Sequence, residues 1–184
     1  MKFIPSEFSN SAWDIFILSK EIAYNNFQQN VDSENLLLSL IKQDILTSKI
    51  LKENFVDIKK IKIKLTSLLN AKAKMKKKQK TLFIGETTQK IFLKANELRV
   101  SLNDLVISTE QILYGLSYDE ICSDLILNKK EIPEFLELIN KMKSESINNN
   151  NFESSNESLD KFGIDLTKSA RDGILDPVIG RDEE

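Results

Sequence analysis

The chain carries an internal repeat: residues 8–40 align with residues 84–116 at a constant offset of 76 positions and without a gap. The matched positions are mostly apolar. The identical pairs are Ile15/Ile91, Phe16/Phe92, Glu21/Glu97, Glu34/Glu110, Leu37/Leu113 and Leu40/Leu116. A repeat of this length indicates two copies of one supersecondary unit, and each copy alone would leave an apolar face uncovered. We therefore expect the two copies to pack against each other.

The apolar residues within each copy follow a helical period. Ser9 occupies an N-cap position, and Asn25 and Asn26 end the first helix. The residues between them that we expect to face the core are Ala12, Ile15, Phe16, Ser19, Ile22 and Ala23. A second helix is predicted to begin near Asp32 and Ser33.

Six further helices follow from the same periodicity, and no alternating strand pattern competes with them. They are predicted near residues 47–53, 57–69, 86–100, 109–116, 118–127 and 131–143. The predicted fold is all-α, with two pseudo-symmetric four-helix repeats, about 8–70 and 84–143, packed together in one domain of residues 1–143. We expect the leucines at 36, 37, 40 and 113, with Phe16 and Phe92, to lie in the core.

Two polar segments separate these units. Residues 71–80 contain six lysines, which fits either a nucleic-acid patch or a solvated, mobile connector. The segment has no arginine and no aromatic residue, so we favour the connector. Residues 144–160 are polar and of low complexity, which predicts a flexible linker.

The composition excludes several kinds of chemistry. The net charge is −2, although residues 1–80 carry +7, and the single cysteine and absence of histidine exclude a zinc cluster and a histidine-dependent triad. We expect Cys122 to be a buried structural thiol, and the cysteine usage fits a reducing, cytoplasmic location. No apolar run is long enough to span a membrane, and the N-terminus lacks a signal sequence.

The final segment, residues 161–184, ends in LDPVIGRDEE and resembles the entry to a further domain that is truncated here. None of the five glycines, at positions 85, 115, 163, 173 and 180, begins a Walker A pattern. We therefore expect no ATP hydrolysis, no catalytic residues and no cofactor in this chain.

Two motifs of the repeat, DSENLLLSL at 32–40 and ISTEQILYGL at 107–116, together with the final segment, resemble the duplicated Clp amino-terminal domain followed by the start of the first AAA+ module. The terminal block most resembles the ClpB branch. Asn35 and Gln111 stand where the family often has histidine. The preceding loops read FQQN and SLND and lack the glycine–histidine pairs common in the ClpC branch, which favours ClpB over ClpC.

The resemblance implies a domain that captures unfolded or aggregated polypeptide through a groove between the repeats and passes it to an ATPase ring that disaggregates and refolds stress-damaged proteins. It places rim residues at Ser9, Asp104 and Glu110, and places Val178 and Ile179 near the nucleotide in the complete AAA+ module. The resemblance also implies a homohexameric parent with a coiled coil that uses ATP and Mg²⁺, and a co-chaperone system.

We expect this chain itself to be a monomer that binds neither nucleic acid nor membrane. The alternative is an adaptor-binding and substrate-binding domain of a ClpC or ClpA type ATPase that supplies a Clp peptidase. Both readings concern the same helical domain, and the feature that separates them, a peptidase-docking loop, lies in another part of such a protein.

Overall fold

The computed structural model describes residues 4–78 and 81–146, and it confirms the predicted all-α fold. A short 3₁₀ turn, Pro5–Glu7, precedes the first helix. The helices of the first repeat are α1 (Asn10–Asn25), α2 (Ser33–Gln43), α3 (Ile45–Glu53) and α4 (Ile58–Ala71). Those of the second are α5 (Glu86–Ser101), α6 (Thr109–Leu116), α7 (Glu120–Ile126) and α8, which covers residues 132–146.

The first helix matches its sequence pattern closely. Ser9 caps α1 by accepting a hydrogen bond from the backbone N–H of Ala12 at 3.2 Å. The buried residues of α1 are the six predicted ones. Asp44 and Asp119 cap α3 and α7 in the same way, which explains why α3 begins before the predicted residue 47 and α7 after the predicted residue 118.

The sequence did not indicate the β-structure, which within residues 4–78 and 81–146 consists of two very short parallel pairs. In one, β1 (Asn30–Val31) pairs with β2 (Phe83–Ile84). In the other, Phe8 pairs with Ile107. Phe8 and Ile84 occupy equivalent positions in the two repeats, and so do Val31 and Ile107. Each repeat therefore contributes its leading segment to pair with the segment that precedes the second helix of the other repeat.

The interface between the repeats forms the centre of the core. Helix α2 packs against α5, α6 and α7 of the other repeat, and α3 packs against α6. Phe8 and Phe16 of the first repeat both meet the ring of Phe92 edge-on, at centroid distances of 5.5 and 5.6 Å. The leucines at 36, 37, 40 and 113 are fully buried, as predicted.

The chain divides into two compact units, Met1–Ser144 and Glu145–Glu184. The residues of the second unit after 146 lie outside the described part, and so do the predicted linker beyond residue 146 and the predicted AAA+ entry segment with Val178 and Ile179. Among the described residues, no helix combines the length and apolar character needed to cross a membrane.

A buried asparagine joins the two repeats at the end of α3. Asn54 is inaccessible to solvent, and its Nδ2 donates to the carbonyl oxygens of Ile126 at 2.7 Å and Leu127 at 3.1 Å. In return, Asn128 Nδ2 donates to the carbonyl oxygen of Asn54 at 2.9 Å. These bonds satisfy carbonyl groups at the end of α7 with a side chain that lies 72 or more residues away in sequence.

We expect Asn54→Ala to lower the free energy of unfolding by about 2 kcal/mol, because it leaves the buried carbonyl of Ile126 without its donor. Urea denaturation followed by circular dichroism measures this change. The matched control is Asn70→Ala, at an exposed position near the end of α4, which should cost under about 0.5 kcal/mol. Equal costs for the two variants would contradict a role for Asn54 in joining the repeats.

Candidate functional site

A large cavity crosses the boundary between the repeats. We name it the cross-repeat groove; its volume is about 770 Å³. Its walls come from the outer face of α5, the turn between α6 and α7, and the start of α2 with Lys72. The lining residues are Asp32, Ser33, Glu34, Lys72, Thr87, Lys90, Ile91, Leu93, Lys94, Glu97, Gly115, Tyr118, Asp119, Glu120 and Ile121.

The exposed apolar surface of the groove comes from three side chains. Leu93 is 51% exposed, Tyr118 45% and Ile121 42%. Leu93 matches Ile17 in the repeat alignment, but the alignment alone does not distinguish exposed apolar positions from core positions. Lys90 and Lys94 lie on the same face of α5, paired with Glu86 and Glu97. The groove therefore offers apolar surface surrounded by charges of both signs.

Tyr118 is held at the groove by a tyrosine pair. Its hydroxyl lies 2.7 Å from that of Tyr114, and the two rings pack edge-on at 5.3 Å. Lys94 Nζ lies 5.3 Å from the centre of the Tyr118 ring. Burial, aided by this hydrogen bond, raises the pKa of Tyr114 to about 12. Tyr118 thus supplies aromatic surface to the groove, and Tyr114 supports it from behind as a neutral phenol.

One end of the groove is formed by an acid–lysine cluster, which consists of Asp32, Glu34 and Lys72. Lys72 Nζ donates to Glu34 Oε2 at 2.7 Å and to Asp32 Oδ2 at 2.8 Å. The Glu34 side chain is 2% exposed, against 30% for Lys72. Burial acts to lower the pKa of Lys72, but the hydrogen bonds to both carboxylates outweigh it and raise that pKa. The lysine therefore stays charged and neutralises a nearly buried acid.

The second repeat contains a similar cluster of Asp104, Glu110 and Lys143. Lys143 Nζ lies 2.8 Å from Glu110 Oε1 and 3.6 Å from Asp104 Oδ2. Burial again opposes the charge, and the bond to Glu110 raises the pKa of Lys143. Glu110 is the repeat equivalent of Glu34. The two lysines are not at the repeat offset, because the register slips after residue 116, so neither contact was predictable from the repeat alignment.

Asn35 and Gln111, which stand where the family often has histidine, form the capping boxes of α2 and α6. Asn35 Oδ1 accepts from the backbone N–H of Asp32 at 2.9 Å, and its Nδ2 donates to Gln28 at 2.8 Å. Gln111 makes the equivalent bonds, to the N–H of Ser108 at 2.9 Å and to Asp104 at 2.6 Å. These buried amides therefore fix the loop before each second helix.

The three rim residues predicted from the resemblance lie near one another in the structure, but they do not line the cross-repeat groove. Asp104 and Glu110 share Lys143. The backbone N–H of Ser9 donates to the carbonyl oxygen of Ile107 at 2.8 Å, which places Ser9 beside the same loop. None of the three lines either of the two cavities described. Their role in binding stays a prediction.

Cys122 is fully buried, as predicted. Burial raises the pKa of its thiol well above the ordinary value, and the neighbouring Asp119 carboxylate acts in the same direction. The group is therefore a neutral thiol and a poor nucleophile. The described residues also contain no cluster of three or more acidic or cysteine side chains placed to hold a metal ion.

The fold and groove define a class: a duplicated all-α domain whose two copies interlock and enclose an apolar, charge-rimmed groove at their boundary. The model of the Clp repeat (R) N-terminal domain matches residues 7–129. The chain belongs to this family of Clp amino-terminal domains.

Two relatives cover almost the whole chain. The chaperone protein ClpB of Prochlorococcus marinus is 35% identical over 187 residues, which is 100% of this chain and 22% of that protein. ClpB 1 of Synechocystis is 35% identical over 184 residues, covering 98% of this chain and 20% of that protein. The chain thus spans about a fifth of the length of these curated relatives.

Solved structures share the fold. The Hsp104 N-terminal domain from Candida albicans aligns with a TM-score of 0.66 at 14% identity, covering 74% of this chain and 91% of that one. The N-terminal domain of the caseinolytic protease associated chaperone ClpD from Arabidopsis thaliana aligns with a TM-score of 0.57 at 18% identity, covering 78% and 98%.

Proposed function

We propose that this chain is the substrate-engaging N-terminal domain of a ClpB-like, ATP-dependent chaperone, and that it binds unfolded or aggregated polypeptide in the cross-repeat groove. The observation that supports this most directly is the exposed set of Leu93, Tyr118 and Ile121 in a 770 Å³ groove of a Clp amino-terminal domain. An unfolded client presents apolar side chains in no fixed sequence, and a surface of loosely specific apolar contacts suits it.

The surroundings of the groove fit an extended polypeptide better than a small metabolite. Charges of both signs lie along it, from Lys90, Lys94 and Glu97 on α5 to Glu120 on α7. Such a rim can accept clients of varied charge, because no single sign dominates. We propose that the parent protein contains an AAA+ ring and that this ring is hexameric. The ring would use ATP and Mg²⁺ to translocate the bound client polypeptide.

Ser9, Asp104 and Glu110 form a second candidate contact surface, as the family resemblance implies. Glu110 is 11% exposed and bound by Lys143, so a client would have to compete with that lysine.

The ClpB assignment is supported by the names of both relatives reported above. The alternative is that this chain is the amino-terminal domain of a ClpC or ClpA type ATPase, since both branches share the fold.

The change that tests the groove is Leu93→Glu. We expect it to weaken binding of a chemically denatured model protein about tenfold or more, because it removes roughly 1.5 kcal/mol of apolar burial and introduces a charge. The control is Val100→Glu on the same helix, whose side chain is equally exposed at 57% but does not line the groove. Fluorescence anisotropy with the labelled denatured protein measures both affinities.

Nuclear magnetic resonance titration of the same client locates the contact. Shifts at Leu93, Tyr118 and Ile121 would support the groove, and shifts confined to Ser9, Asp104 and Glu110 would support the second surface. Equal affinities for wild type, Leu93→Glu and Val100→Glu would contradict binding in the cross-repeat groove.

A further inference from the structure

The lysine-rich connector is largely exposed, as predicted for a solvated connector, but it also contacts the first repeat at three points, which the sequence did not indicate. Lys72 binds Asp32 and Glu34. The backbone N–H of Met75 donates to the carbonyl oxygen of Phe27 at 2.8 Å. Lys78 Nζ donates to Asn25 at 3.2 Å and lies 4.6 Å from the centre of the Tyr24 ring.

Lys72 stands between two cavities. It lines the cross-repeat groove on one side and, on the other, a polar cavity of about 300 Å³. Asp32 also lines both. The rest of the polar cavity is formed by Gln28, Gln29, Asn30, Ala73 and Met75, two of which belong to the connector itself. The connector therefore forms part of the wall of a cavity that adjoins the groove.

Two residues that line these cavities each have one buried polar atom without a hydrogen-bond partner among the described residues. Glu34 is 1% exposed and lines the groove, and its Oε1 accepts no hydrogen bond. Gln28 is 4% exposed and lines the polar cavity, and its Nε2 has no acceptor. The buried acceptor beside one cavity and the buried donor beside the other are the kinds of group that pair with the N–H and C=O groups of a polypeptide.

We propose that residues 72–78 act as a tethered pseudo-ligand, a strap that fills the end of the cross-repeat groove until an extended client segment displaces it. This inference rests on the proposed function of the groove. The favoured client segment resembles the strap: it has a lysine at the position of Lys72, a backbone N–H directed at Phe27, and an apolar side chain near the position of Met75. When the strap is displaced, the groove and the polar cavity together can accept one longer client segment.

The contacts of the strap are of the kind that a client can replace. The Met75 to Phe27 bond joins backbone groups and requires no particular side chain. Lys72 is partly exposed, and a client lysine in its place would keep the nearly buried Glu34 paired. The strap competes mainly because it is tethered, since a short tether gives an effective concentration in the millimolar range.

The test compares wild type with two released variants of the 184-residue chain. In one, residues 72–78 are replaced by glycine and serine at the same length. In the other, Met75→Pro removes the N–H that binds Phe27 and leaves every charge in place. The control is Lys59→Gln, which removes an exposed lysine from α4.

We expect both released variants to bind the denatured model protein at least about threefold more tightly than wild type, and Lys59→Gln to match wild type. The second measurement uses a synthetic peptide of residues 71–80, AKAKMKKKQK. It should bind the glycine–serine variant saturably, with shifts at Phe27, Asp32 and Glu34, and bind wild type much more weakly. The same peptide with glutamine at the position of Lys72 should lose affinity for the variant.

The strap proposal is overturned if the peptide binds the glycine–serine variant no better than wild type, or if its shifts lie away from Phe27, Asp32 and Glu34. It is also overturned if release leaves the affinity for the denatured protein unchanged while Leu93→Glu still weakens it; in that case the groove stands as the client site. If Leu93→Glu has no effect, the proposed function fails, and the peptide titration still decides whether the strap occupies a displaceable site.

Discussion

Phe92→Ala should lower the free energy of unfolding by about 3–5 kcal/mol, the largest effect we expect from any single substitution in this chain. Phe92 is fully buried, and its ring is contacted edge-on by Phe8 and Phe16 of the other repeat. Truncation removes buried apolar surface and leaves a cavity that the surrounding residues can close only in part. Since a domain of this size has a total stability of about 5–15 kcal/mol, the variant should be partly unfolded at moderate temperature.

Urea denaturation measured by circular dichroism checks this value. Phe92→Leu keeps most of the volume and should cost about 1–2 kcal/mol. Leu105→Ala truncates a large apolar side chain that is 92% exposed and should change the stability by under about 0.5 kcal/mol. A cost below about 1.5 kcal/mol for Phe92→Ala would show that the contact between the repeats is not the centre of the core.

Gly115→Ala is expected to lower the free energy of unfolding by a net amount of about 2 kcal/mol, as much as Asn54→Ala. A Cβ at this position would run into the carbonyl oxygen of Ile91 and lie 3.0 Å from Ile91 Cγ2. The carbonyl belongs to the backbone of α5, so relief requires α5 and α6 to move apart. Overpacking of this kind costs about 1–3 kcal/mol, and the better helix propensity of alanine returns up to about 1 kcal/mol.

The comparison for this substitution is Gly85→Ala. There the nearest atom to an added Cβ belongs to the Asp32 carboxylate, a side chain that can rotate away, and the backbone oxygen of Val31 lies at 3.1 Å. We expect a cost of about 1 kcal/mol, close to that of an ordinary N-cap replacement. Thermal unfolding of both variants shows which substitution lowers the stability more. A smaller loss of stability for Gly115→Ala than for Gly85→Ala would contradict the close contact of α5 and α6.

Much of the fold was predictable because helix periodicity and capping are local properties. The six inward positions of α1, the Ser9 cap and the buried leucines of α2 all depend on spacing within about four turns. The repeat alignment also matches backbone details: Phe27 and Asn103, at the offset of 76, both have positive φ, at 58° and 56°. Equivalent sequences in the two copies adopted equivalent local structures.

The candidate site was less predictable, because exposure depends on what the other copy covers. Leu93 and Phe92 are neighbours in sequence, and both matched the apolar repeat pattern, yet only Leu93 is exposed in the groove. The lysines of the acid–lysine clusters were missed as well. Lys72 reaches Glu34 across 38 residues, and a solvated connector was the reasonable expectation for a run of lysines.

The sequence by itself determined that this protein consists of two copies of one helical unit, and which face of each helix is apolar. Those properties follow from contiguous residues and the period of the helix. Only the tertiary structure decided how the copies interlock, through Phe8 with Ile107 and Val31 with Ile84, and where the cross-repeat groove opens. The physical reason is that these contacts join residues far apart in the chain, and the packing of one copy on the other selects which apolar and charged side chains remain exposed.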